Sequence, residues 1–124
     1  MYVANYFQVN GDHAVFRPSG ETSFEDAAAM VAEAIVLARA QNLKRLLADT
    51  SAWTGFRPPS ITARFFAVKK WASAAGGRVR VAVVARPEMI DPHKFGVTVA
   101  RNSGLMGDVF ASESEALAWL LEDN

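Results

Sequence analysis

The sequence predicts an α/β fold built on a mostly parallel sheet, and three observations predict it. Residues 78–85 (RVRVAVVA) are a nearly continuous apolar run of β-formers with charge only at the entry, the pattern of a strand buried on both faces. Pro87 ends the run, and Asp91-Pro92 then reads as a helix N-cap with proline at the first helical position. That helix runs to about Asn102 and stops at Gly104, so strand, turn and helix make half of a βαβ unit, which implies a parallel sheet. The whole chain then reads β-β-α-β-α-β-α-β-α, with right-handed crossovers expected.

Taken in order, residues 2–9 alternate loosely, with Val3, Phe7 and Val9 on one face and Tyr2, Ala4 and Tyr6 on the other. Asn10-Gly11-Asp12 is a hairpin turn signal, so residues 13–17 return antiparallel and Pro18 closes them. Thr22 with Glu25 three residues on makes a capping box. From there to about Gln41, Phe24, Ala27, Ala28, Val31, Ile35, Leu37 and Ala38 recur at helical spacing, and the abundant alanine allows close approach to a sheet. Residues 43–48 form the next strand, ending in Asp49. Residues 50–59 (TSAWTGFRPP) are longer than most connections and carry two large aromatics. Ser60 caps a helix to about Ala75, with Ile61, Phe65, Val68 and Ala72 as its inward stripe, Lys69 and Lys70 on solvent, and Gly76-Gly77 as its stop. After the central strand and its helix, residues 108–111 are a short last strand. Ser112 and Glu115 form a capping box for a last helix, where Leu117, Leu120 and Leu121 point inward and Trp119 lies at the margin.

Composition narrows the function classes. The 124 residues make a single domain, 1–124, and 51% of them are hydrophobic, which suits a packed globule. Thirteen basic residues balance thirteen acidic ones, so no global field favours nucleic acid or an acidic membrane surface. The absence of cysteine excludes a disulfide scaffold, a thiolate nucleophile and cysteine-based metal sites. No signal peptide opens the chain and no apolar run reaches the length of a membrane span, so the expectation is a cytoplasmic protein.

The opening hairpin, LKRLLADTSAWTGF, PPSITARFFAVKKWA, VRVAVVA and the ending VFASESEALAWLLE together carry a resemblance over nearly the whole chain. It resembles the STAS and SpoIIAA-like family, the fold of bacterial anti-sigma-factor antagonists, and within it the uncharacterised bacterial branch labelled STAS/SEC14-like, related in fold to SEC14-type lipid-binding domains. The resemblance implies a sheet of about five strands in chain order with the first strand antiparallel, and helices largely on one face. In signalling members a serine before the helix after the third strand is phosphorylated. By position that motif falls on Pro58-Pro59-Ser60-Ile61, where only Ser60 is kept and the aspartate and glycine are missing.

The candidate binding residues are Asp49, Trp53, Phe56, Arg57, Ser60, Arg64 and Met89. Ser60 is an ordinary helix cap by position, and also a modifiable hydroxyl at a helix N-terminus with Arg57 and Arg64 nearby. Trp53 and Phe56 either fold back over the sheet or form a binding loop beyond the carboxyl ends of the strands, where ligands of open α/β sheets gather. A common hollow lined by Trp53, Phe56, Met89 and Ile90 would suit a small apolar or amphipathic ligand. Asp49 is a functional carboxylate at a strand end or a turn former bonding to backbone amides. Glu88, Asp91 and His93 match no metal-ligand spacing, and His13 has no evident partner. No G-x-S-x-G, P-loop, G-x-G-x-x-G or H-E-x-x-H motif occurs.

The sequence therefore points first to a non-enzymatic regulatory or protein-interaction module of STAS type, acting in bacterial signalling. The alternative is a small binder of lipid-like or amphipathic ligands, and an enzyme using Asp49 and its neighbours comes third. No cofactor and no metal are expected. The expected partner is a protein or a small amphipathic ligand, with no nucleic acid and no membrane span. Tyr2, Tyr6 and Phe7 on an edge hairpin allow a homodimer. An exposed apolar patch on helix 60–75 would mark a partner-binding module, and a cavity between that helix and loop 50–59 would mark a binder.

Overall fold

The apolar run at the centre of the sequence lies at the centre of the sheet. In the computed structural model, which describes residues 3–122, its core is β6 (Arg80–Val84), and it sits between β4 (Arg45–Asp49) and β7 (Gly107–Phe110). Both neighbours run parallel to it, so both rows of its backbone groups are paired, as so apolar a strand requires. β2 (His13–Phe16) lies outside β4, again parallel, and β1 (Phe7–Asn10) closes that edge antiparallel. The hairpin between β1 and β2 turns on Gly11-Asp12, where Gly11 takes a positive φ of 63°. The five-stranded order is thus β1-β2-β4-β6-β7.

Alternation along the strands divides the core. Ala14, Phe16, Leu46, Ala48 and Val81 face α1 (Phe24–Ala40), α2 (Ile61–Ala75) and α3 (Phe95–Asn102). Val15, Leu47, Ala82 and Val84 face α4 (Glu113–Leu120) through its Ala116 and Leu120. Helices therefore lie largely on one face, with α4 alone on the other. Arg80, the charge at the entry of the central strand, is buried on the α4 side. Its guanidinium lies 4.2 Å from the Trp119 ring centroid and donates to the Glu122 carbonyl at 3.2 Å, near the negative end of α4.

Several expectations are corrected. Of the described residues of this stretch, the strand is confined to Phe7–Asn10, because Val3–Tyr6 coils into a 3₁₀ turn that buries Val3. Tyr2, expected on that strand and at the edge offered for a homodimer, lies outside the described residues. The first cap belongs to Ser23, whose Oγ accepts from the Asp26 amide at 3.1 Å. Thr22 instead holds the loop edge, donating its amide to the Thr54 carbonyl at 2.8 Å. Pro92 does not open α3. Asp91-Pro92-His93-Lys94 is a turn closed by Lys94 N–H on the Asp91 carbonyl, 2.9 Å, the first two positions that aspartate and proline favour in a turn. The Asp91 carboxylate then accepts from the Phe95 amide at 2.7 Å, so the helix starts at Phe95. In α2 the inward stripe is Arg64, Ala67, Val68, Trp71 and Ala75, while Ile61 and Phe65 are exposed. Leu121, expected inward, is exposed beyond the end of α4.

Candidate functional site

The long segment 50–59 is ordered by backbone pairing. Its Trp53–Thr54 forms β5, which pairs parallel with Gly20–Glu21 (β3) to make a two-stranded ribbon beyond the carboxyl ends of β2 and β4. Thr50 anchors the start, with its amide and its Oγ1 both donating to the Val84 carbonyl at 2.8 Å. Trp53 thereby turns back into the core, 1% exposed, its ring 5.9 Å from Phe16 in an edge-to-face contact. Phe56 sits farther out, half-buried, edge-to-face with Phe24 at 5.8 Å.

Beneath this segment is a cavity of about 150 Å³ between the sheet and helices α1, α2 and α3. Phe24, Ala27, Ala28 and Val31 of α1 form one wall, and Arg64, Ala67, Val68 and Trp71 of α2 form the second. Val97 and Ala100 of α3, with Met89 and Ile90 before it, form the third, and Trp53, Phe56 and Pro59 close the top. The floor is Val81, Val83 and Ala85. Alanines at the α1 and α2 walls leave the space; larger side chains at Ala27, Ala28 or Ala67 would fill it. Trp71 ties the two helices, its Nε1 donating to the Ala28 carbonyl at 2.9 Å. Arg64 is a strut: its Nε donates to the Pro59 carbonyl at 3.3 Å and its Nη1 to the Met89 carbonyl at 3.1 Å, holding both sides of the hollow together. Buried Trp53 Nε1 has no hydrogen-bond partner among the described residues. Lys94, Asp91, Asp108 and Arg86 carry the charge around the hollow, with Lys94 Nζ 3.0 Å from Asp108 Oδ1.

Of the residues singled out in the sequence, Trp53, Phe56, Arg64 and Met89 meet at this cavity, together with Ile90. Arg57 and Ser60 are exposed beside it, and Ser60 Oγ accepts from the Ala63 amide at 3.1 Å as the α2 cap. Asp49 belongs elsewhere. Its carboxylate lies on the α4 side, accepting from Ser51 N (3.0 Å) and Ser51 Oγ (2.6 Å), and it neighbours Glu113, which Arg17 grips with two bonds of 2.7 and 2.8 Å. Burial first, then Glu113, pushes the Asp49 carboxyl up. The Arg17 guanidinium first, then Asp49, holds Glu113 down to about 2. Sequence reading missed Phe24, Trp71 and Val97 as wall residues. For Trp71 the signal was present: it falls on one helical face with Arg64, Ala67 and Val68, a face less apolar than the one carrying Ile61 and Phe65.

The described residues hold no group of three or more His, Asp or Glu able to bind a metal ion, and no described helix is long and apolar enough to cross a membrane. No protein-family model and no curated protein sequence matches the chain. Solved structures do. The fold is similar to an anti-sigma factor antagonist from Mycobacterium paratuberculosis, with a TM-score of 0.57 and 19% identity over 94% of this chain and 92% of that one. It is also similar to an uncharacterised protein with a SpoIIAA-like fold from Shewanella loihica PV-4, with a TM-score of 0.52 and 20% identity over 92% and 90% of the two chains. At these identities the likeness is one of fold, and the chain has a SpoIIAA-like, STAS-related α/β fold.

Proposed function

We propose that this domain is a non-enzymatic binding module whose cavity takes the apolar part of a small amphipathic molecule. One observation carries the reading: Trp53, Phe56, Met89 and Ile90, from two separate connections, line one hollow with α1, α2 and α3. A dry apolar cavity of about this size accepts a benzene-sized guest, and pockets for drug-sized ligands begin at roughly twice the volume. The occupant is therefore a compact apolar group or one end of a chain, not a whole two-chain lipid. Charged side chains at the rim suit a polar head left in water.

The competing reading is a regulatory module of STAS type that docks on a protein, which draws on the likeness to an anti-sigma factor antagonist. Against a phosphoserine switch, Ser60 Oγ is engaged as a helix cap and the acidic and glycine neighbours of the signalling motif are absent. Against catalysis, the carboxylates of Asp49 and Glu113 are tied to Ser51 and Arg17 on the face opposite the cavity.

Calorimetric titration with toluene, followed by competition with straight-chain alcohols of increasing length, tests the cavity reading. Saturable toluene uptake that Ala67→Leu abolishes, with the far-UV spectrum unchanged, is the expected result. Absence of saturable uptake by the wild-type chain would overturn it.

A further inference from the structure

The most apolar side of α2 faces water. Ile61, Phe65 and Phe66 are 64%, 39% and 65% exposed, and the two phenyl rings stack edge-to-face at 5.4 Å. On its inner side the helix buries alanines and Val68 instead. Ordinary partition places phenylalanine inside and alanine wherever there is room, so this helix is turned against its own hydrophobicity. Lys69 and Lys70 are exposed one turn farther along the same outward arc, and α2 contains no acidic residue.

The charge along this part of the sequence is segregated. The chain as a whole balances, yet between Asp49 and Glu88 it carries seven basic residues and no acidic one. Arg57, Lys69 and Lys70 are exposed and enter no ion pair among the described residues.

We propose that the outer face of α2 docks the domain on an anionic lipid bilayer, with Phe65 and Phe66 entering the interface and Lys69, Lys70 and Arg57 meeting the headgroups. Three apolar side chains on two turns fall well short of the ~800 Å² per partner that a stable protein contact buries, and lysine is depleted at such contacts. A bilayer asks for less: a few inserting side chains, with the anionic surface supplying the rest. Lysine suits it, because its stem lies along apolar surface while its ammonium reaches the headgroup layer. This inference is independent of the cavity, which α2 lines with its opposite side.

Co-sedimentation of the full chain with vesicles tests it, comparing an equal mixture of phosphatidylglycerol and phosphatidylcholine with phosphatidylcholine alone. The expected result is binding to the anionic vesicles that falls as salt is raised. Lys69→Gln with Lys70→Gln should weaken it about twenty-fivefold, the product of about fivefold per charge. Phe65→Ser with Phe66→Ser should abolish it while leaving the thermal midpoint at or above that of the wild type, since both rings are exposed. No binding to anionic vesicles at low salt would overturn the proposal. So would binding that neither double variant changes, or light scattering in which Phe65→Ser with Phe66→Ser dissociates a dimer while vesicles are ignored, which would make the face a protein contact.

Discussion

Arg17 and Glu113, 96 residues apart in the chain, meet in a two-pronged ion pair of 2.7 and 2.8 Å that pins the end of β2 to the first turn of α4. Glu113 also stands beside Asp49 at the end of β4, and the two carboxyls titrate against each other. The trio clamps the helix that covers the second face of the sheet, and Glu113 stands where the positive end of that helix favours a carboxylate.

The clamp makes stability depend on pH, with two opposed contributions. Glu113 is held well below its ordinary value of 4.5, down to about 2, so its stabilisation is complete above 4.5 and is lost as pH falls toward about 2. Asp49 is raised above 3.8, so its contribution is complete below that value and is lost as pH rises through its folded value. Urea denaturation at a series of pH values should show stability rising slightly on acidifying from neutrality, then falling through the carboxylate range. Glu113→Gln should flatten that fall. An unaltered acid limb in the variant would show that the pair is not what links stability to pH.

Helix starts give a sharper test of local structure. Ser23→Ala and Ser112→Ala should each destabilise by about 1 kcal/mol, since each Oγ accepts an otherwise unpaired first-turn amide. Thr22→Ala should cost well under half of that, because its role is the backbone bond to Thr54, which the substitution keeps. Equal losses at positions 22 and 23 in chemical denaturation would place the cap one residue earlier.

These caps also show what the sequence could reveal. Strand order and direction were legible because they follow from strong local signals: a two-residue turn at Gly11-Asp12, an apolar run at 80–84, and helices between strands. The side of α2 that turns inward was not legible. Periodicity located two candidate stripes, and hydrophobicity favoured the one with Ile61 and Phe65. Packing chose the stripe with Ala67 and Trp71, because α1 presents alanines that only a close helix can meet. The loop aromatics were legible as a site, whereas its walls were not, because a cavity is a property of three helices placed together. Asp49 was misleading for a related reason: strand alternation sends its side chain to the α4 face, while Trp53, four residues on, returns to the other.

Two glycines should respond in opposite directions. Gly96 is helical, and an added Cβ would meet Val68 Cγ2 at 3.5 Å, an ordinary contact. Gly96→Ala should therefore stabilise by about 0.5–1 kcal/mol through helix propensity. Gly55 has φ +101°, and a Cβ there would lie 2.7 Å from both the Glu21 Cγ and the Thr22 carbonyl oxygen. Gly55→Ala should loosen the β3–β5 ribbon and lower the thermal midpoint. A midpoint raised by Gly55→Ala, or lowered by Gly96→Ala, would contradict the packing described.

The last prediction separates the two aromatics of segment 50–59, which share a cavity but differ in burial. Trp53 is wholly enclosed and in contact with Phe16. Removing so large a core side chain costs about 3–5 kcal/mol, a large share of the ~5–15 kcal/mol that holds a domain together. Trp53→Ala should therefore lower the denaturation midpoint severely and cannot by itself report on binding. Phe56 is half-buried and touches Phe24 at the cavity's outer wall, so Phe56→Ala should leave the fold standing while weakening toluene uptake. Trp53→Phe supplies the complementary test. It keeps most of the buried area and removes a buried indole N–H that has no partner among the described residues, so it should destabilise far less than Trp53→Ala and leave uptake intact. If Phe56→Ala unfolds the chain, segment 50–59 is a structural cover and the cavity beneath it is closed to ligands.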